Sequence, residues 1–198
     1  MKYVLALVAV LASAISTAEV SGVTEFDGFA WGSSASEIRE RRSGSRPRQW
    51  EHGIISYNVD GSESIGKYPI SRVTYYFRNV NYLHLANGVY TLQSPSEQLV
   101  ADLTDILVER YGEFTDTVKS YPKKNFSSGK VIAEDLITSR TFQLPDRSTV
   151  ALGIRRYDRD FKDFQTMKKK GIYDVFVRYA EPVEEKEPIP QVSKTKDF

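Results

Sequence analysis

The chain has 198 residues, with 27 basic and 26 acidic side chains, 12% aromatic residues and no cysteine. A chain of this length lies in the single-domain range and buries enough surface to fold without covalent staples. The lack of thiols excludes disulfides, a cysteine nucleophile, thiolate metal ligation and a thiol-linked lipid anchor.

Residues 1–18 read as a cleavable export signal. Lys2 supplies a short positive start, residues 3–15 form an uncharged apolar stretch, and Ser16 and Ala18 are small residues where a signal peptidase reads them. Cleavage after Ala18 is the preferred reading, with a cut after Ala14 as the alternative. The stretch is shorter than the roughly 20 residues that cross a bilayer. No later segment is more apolar, so the mature chain is expected to be soluble and without a transmembrane segment. Losing Lys2 takes one from the 27 basic residues and leaves them equal to the 26 acids. Such balance disfavours bulk binding to nucleic acid or to an anionic membrane, and no nucleic-acid partner is expected. An exported, disulfide-free chain points to a bacterial periplasm or exterior.

One domain is expected over residues 22–180. Ser34 and Glu37 form a capping-box pattern that opens a short helix ending near Arg42. Segments 54–58, 71–78 and 83–92 alternate and are rich in aromatic and β-branched residues, as half-buried strands are. Ser94, Pro95 and Glu97 then open a second helix, with Leu99, Leu103, Ile106, Leu107 and Tyr111 on one face and Gly112 as its stop. Segments 135–144, 149–156 and 172–179 are again strand-like, and Pro145 to Ser148 make a hairpin turn. The order is a helix and three strands, twice. It predicts an α+β domain, an antiparallel sheet with two helices packed on one face in the order αβββ-αβββ, with a diverged duplication as one origin. Residues 181–198 hold three prolines and eight charged side chains with few large apolar ones, the composition of a disordered tail.

Phe26, Gly28, Trp31 and Gly32 fit the pattern F-x-G-x-x-W-G. With the strand containing Tyr75 and Phe77 and the helix closing in Tyr111 and Gly112, this resembles a group of uncharacterised exported bacterial domains. The resemblance covers residues 26–112 and implies an envelope location and a strand running into a short helix. It brings no activity with it. Phe26 and Trp31 are expected to be core anchors.

Chemistry is thinly signalled. His52 and His84 are the only imidazoles, and no motif for a nucleophile elbow, a zinc helix or a phosphate loop is present. No catalytic residue, metal ligand or cofactor is therefore singled out. The acids from Asp158 to Asp163 lack the glycine and closing glutamate of a calcium loop and carry Arg159 and Lys162 among them, so a solvated loop is expected. The densest charge is Arg39, Arg41, Arg42, Arg46 and Arg48, five arginines in ten residues. Their planar forks suit phosphate or carboxylate, and a solvated helix C-terminus is the alternative. The expected function is a non-enzymatic binding or interaction module of the envelope, whose partner is an envelope protein or an anionic polymer or headgroup. The alternative is a small periplasmic hydrolase using paired carboxylates.

Overall fold

Alternation of apolar and polar residues becomes strand wherever one face is buried, and here it does so along most of the chain. The computed structural model describes residues 22–44, 48–49, 55–61, 63–79, 83–125, 128–162 and 166–182. The elements in chain order are β1 (Glu25–Phe26), β2 (Phe29–Ala30), α1 (Ala35–Arg41), β3 (Arg48–Gln49), β4 (Ile55–Asp60), β5 (Ser64–Ile65), β6 (Tyr68–Asn79) and β7 (Leu83–Leu92). After them come α2 (Glu97–Tyr111), β8 (Thr115–Lys124), β9 (Val131–Gln143), β10 (Thr149–Tyr157), β11 (Phe161–Lys162), β12 (Met167–Lys168) and β13 (Gly171–Ala180). The export signal, the segment beyond residue 182, Arg46, His52 and Asp163 lie outside the described residues.

Eight strands form one antiparallel sheet in the order β3-β4-β6-β7-β13-β10-β9-β8, with β5 paired to β6 beside this path. The expected α+β class with two helices packed on a sheet is overturned. The described residues are mostly β, at 56% strand and 16% helix. The helices have 7 and 15 residues, and even the longer spans only about 22 Å, whereas β6 and β9, with 12 and 13 residues, extend about 40 Å. The αβββ-αβββ order fails with it, because four long strands, β8, β9, β10 and β13, follow α2. The long strand that the sequence pattern omits is β8. All ten of its residues are exposed, and a strand with no buried face has no alternation to betray it.

Local signals place the helix ends. Ser34 caps α1, its Oγ accepting the N–H of Glu37 at 3.2 Å. On α2 the cap is Ser96, two residues later than the sequence pattern indicates, with its Oγ accepting from Leu99 N at 3.1 Å. Ser94 instead takes a positive φ of 49° in the turn that leaves β7. Gly112 stops α2 at φ 81°, and its N–H donates to Val108 O at 2.8 Å. Leu99, Val100, Leu103 and Leu107 are buried, while Ile106 is 36% exposed. Among the described residues no helix is long and apolar enough to cross a membrane.

One face of the sheet carries the core. Val73, Tyr75 and Phe77 of β6, Val150, Leu152 and Ile154 of β10, and Val175 and Val177 of β13 are buried there with the α2 leucines and Ile38 of α1. The β1–β2 hairpin plugs the middle of this face. Phe26 sits on Gly88 of β7, where any side chain would collide with its ring, and it packs on Tyr75, Tyr90 and Tyr179 with centroids 5.6, 4.6 and 5.8 Å away. Trp31 is half-buried and donates from Nε1 to Val23 O at 2.5 Å.

Candidate functional site

The opposite face of the sheet takes the alternate residues of the same strands. Arg72 on β6, Thr91 on β7, Phe176 on β13 and Gly153 on β10 are successive cross-strand partners. The next row holds Thr74, Val89 and Arg178, and the row on the other side pairs Asp174 with Arg155. Together with Arg78 and Tyr76, all of these residues except Gly153 line a trough of about 680 Å³. Gly153 is what gives it depth, because the Phe176 ring lies over the space that a side chain at 153 needs.

Four arginines, Arg72, Arg78, Arg155 and Arg178, line the trough with a single carboxylate, Asp174. Arg155 Nη1 lies 3.4 Å from Asp174 Oδ2, and its guanidinium stands 5.2 Å from the Phe176 ring centroid. Its Nε is buried and has no hydrogen-bond partner among the described residues. Arg178 Nη2 donates to Asn87 Oδ1 at 2.9 Å, and Arg78 Nη1 lies 3.0 Å from Glu181 Oε1 at the rim. Arg72 and Arg178 are exposed and have no carboxylate within ion-pairing distance among the described residues. Burial pushes the Asp174 carboxyl above the usual range, and Arg155 and Arg72 oppose that rise. Arg72 and Arg78 are six residues apart on one strand, which sets their Cα atoms roughly 20 Å from each other. A small anion cannot reach all four arginines, whereas an elongated one with several charges can.

The arginine run of the sequence is divided by the fold. Arg39 is exposed on α1, and Arg41 lies with its guanidinium 4.4 Å from the Phe29 ring centroid. Arg42 forms the C-cap of α1 and turns inward, where its Nη2 is 2.9 Å from Asp27 Oδ1 and 3.4 Å from Glu63 Oε1. The Asp27 side chain is only 3% exposed and also accepts from the hydroxyls of Tyr75 and Tyr90. This network fastens the hairpin and α1 to β6 and β7. Asp27 reaches it because the Asp27–Gly28 turn has φ of 54° and 75°, values that aspartate tolerates and glycine favours. Arg48 begins β3 at the sheet edge.

Two further polar clusters are clamps. Asp102 on α2 accepts from Lys67 at 2.7 Å, from the Tyr68 hydroxyl at 2.6 Å and from Gln98 at 2.6 Å. These bonds hold its carboxyl down to about 2. At the other end, the Tyr173 hydroxyl donates to Asp135 at 2.7 Å, and Tyr157 stacks on Tyr173 with centroids 4.3 Å apart. The loop after β10 is tacked down. Phe161 packs on Tyr157, and Asp158 Oδ1 accepts from Glu134 N at 2.7 Å. No group of three acidic or imidazole side chains is arranged to hold a metal ion among the described residues.

None of the trough arginines belongs to the run that the sequence singles out. Their signal is parity: Arg72, Arg78, Arg155 and Arg178 alternate with buried residues on three strands. It becomes a site only when β13 is known to lie between β7 and β10. No protein-family model, curated protein or solved structure matches this chain.

Proposed function

We propose that the protein is an exported, non-enzymatic binding module of a bacterial envelope, and that the open face of its sheet takes an elongated anionic polymer. The export reading rests on the features of residues 1–18 and on the absence of cysteine. One observation carries the binding reading, namely four arginines around a Phe176 floor with one carboxylate among them in a trough of about 680 Å³. Guanidinium forks recognise sulfate, phosphate and carboxylate with paired hydrogen bonds, and an aromatic floor accepts the apolar body between the charges. A hydrolase that works with two carboxylates needs a second acid facing Asp174, and the trough lining holds none among the described residues.

Titration with a sulfated dextran tests this reading. Saturable binding that weakens with salt is expected, with at least about a ten-fold loss in an Arg72→Glu/Arg178→Glu variant, in line with the cost of reversing charges at a polar contact. The Arg39→Glu/Arg41→Glu variant is expected to bind like the wild type. The reverse pattern returns the site to the helix-end arginines.

A further inference from the structure

β13 supplies Asp174, Phe176 and Arg178 to the trough and then runs directly into Glu181. Glu181 already engages a trough arginine, with its Oε1 3.0 Å from Arg78, and its N–H donates to Ala86 O at 3.0 Å. The chain therefore leaves the sheet beside the trough's rim. Pro182 and Val183 lead from it to Glu184, Glu185, Lys186 and Glu187, three acids to one base. Extended chain covers at most about 3.6 Å per residue, so Glu184 lies within roughly 14 Å of Ala180 and Glu187 within roughly 25 Å. Arg178 precedes Ala180 by one pair of residues on the same face, and Arg72 lies two strands over. Both arginines that have no carboxylate within ion-pairing distance among the described residues are in reach.

We propose that the acidic segment 184–187 docks in the trough of its own chain, setting glutamates against Arg178 and Arg72 where an external polyanion would sit. Charge complementarity selects this occupant, and attachment through β13 holds it at an effective concentration near the millimolar range. The consequence for ligand binding rests on the reading of the trough as a polyanion site, whereas the docking itself does not. A tethered competitor of this kind makes the trough selective, since a ligand must carry enough charge to displace it.

Because the chain has no cysteine, a Val192→Cys substitution offers a unique attachment point for a nitroxide label on the full chain. In dilute buffer the label is expected to broaden the amide signals of Thr74, Val89 and Phe176, and salt at about 0.5 M is expected to restore them by screening. No broadening at these residues overturns the docking. Broadening that persists when labelled chain is diluted into unlabelled, nitroxide-free chain supports docking within one chain, and broadening carried over from a neighbour's label overturns it. The Glu184→Gln/Glu185→Gln/Glu187→Gln variant is expected to lose the broadening and to bind sulfated dextran about two- to ten-fold more tightly. Unchanged broadening in that variant overturns the charge-based docking. Dextran that binds neither form overturns the ligand reading alone, and the presence or absence of broadening then decides the docking by itself.

Discussion

The ring of Phe176 covers Gly153, its cross-strand partner on β10, and so occupies the place of the side chain that Gly153 lacks. On the other face of the sheet Phe26 covers Gly88 in the same manner. One contact shapes the floor of the trough and the other seats the N-terminal hairpin on the core.

Replacing Gly153 by alanine sets a β carbon inside the Phe176 ring, which must swing away and give up its contact with Arg155. A loss of about 1–3 kcal/mol is expected, the usual cost of overpacking, with weaker binding of sulfated dextran. Denaturant unfolding of Gly153→Ala, Phe176→Ala and the double variant checks this. The double variant is expected to lose less than the two single losses together, because removing the ring relieves the collision.

Asp27 and Arg42 form a largely buried ion pair, with the arginine one-third exposed. Arg42→Met leaves the carboxylate with only tyrosine donors and is expected to destabilise the fold by about 2 kcal/mol. A change below about 0.5 kcal/mol, typical of an exposed pair, would mean that Arg42 is available to ligands after all.

Asp174 is held above the ordinary carboxylate range by burial, against the pull of Arg155 and Arg72. A carboxyl raised in the folded state is protonated there first as pH falls. It weakens the fold at neutral pH, and that penalty is lifted as pH drops through its folded value. The same protonation removes the trough's carboxylate, while the sulfates of a dextran probe stay ionised. Binding is therefore expected to tighten as pH falls from about 7 toward about 4, the ordinary aspartate value. Asp174→Asn is expected to bind more tightly at neutral pH and to flatten the profile, which titrations across that range measure.

Asp102 shifts the other way, held at about 2 by hydrogen bonds from Lys67, Tyr68 and Gln98. Its contribution to stability is present above the unfolded value near about 4 and is lost as pH falls through the folded one. Lys67→Met and Tyr68→Phe are each expected to raise the carboxyl toward the unfolded value. Carbon-detected titration of the side chain reads that movement directly, and an unmoved value would show that the clamp between β6 and α2 is not what holds it.

Much of the local structure is legible in the residues themselves. The bounds of β7 match the alternating segment 83–92, and Ser34 and Gly112 mark helix ends because caps and stops act through neighbouring backbone groups. The Pro145 to Ser148 turn is likewise local, with Leu144 N donating to Ser148 O at 3.0 Å. Ser96 displaces Ser94 as the cap of α2 because the turn out of β7 takes up Ser94. β8 leaves no trace, since a solvated edge strand needs no apolar period.

The amino-acid sequence by itself determined the cysteine-free chemistry, the cap of α1 at Ser34, the stop of α2 at Gly112 and the parity that sends Tyr75 and Arg72 to opposite faces of β6. Each of these follows from a side chain or from a period of two along one strand. Only the tertiary structure decided the mostly β class and the trough. Both depend on β13, the last strand in the chain, pairing between β7 and β10, and neighbours in a sheet are chosen by contacts between residues far apart in sequence. Arg42 shows the same division: its charge is plain in the sequence, but the buried Asp27 that binds it is brought there by the fold.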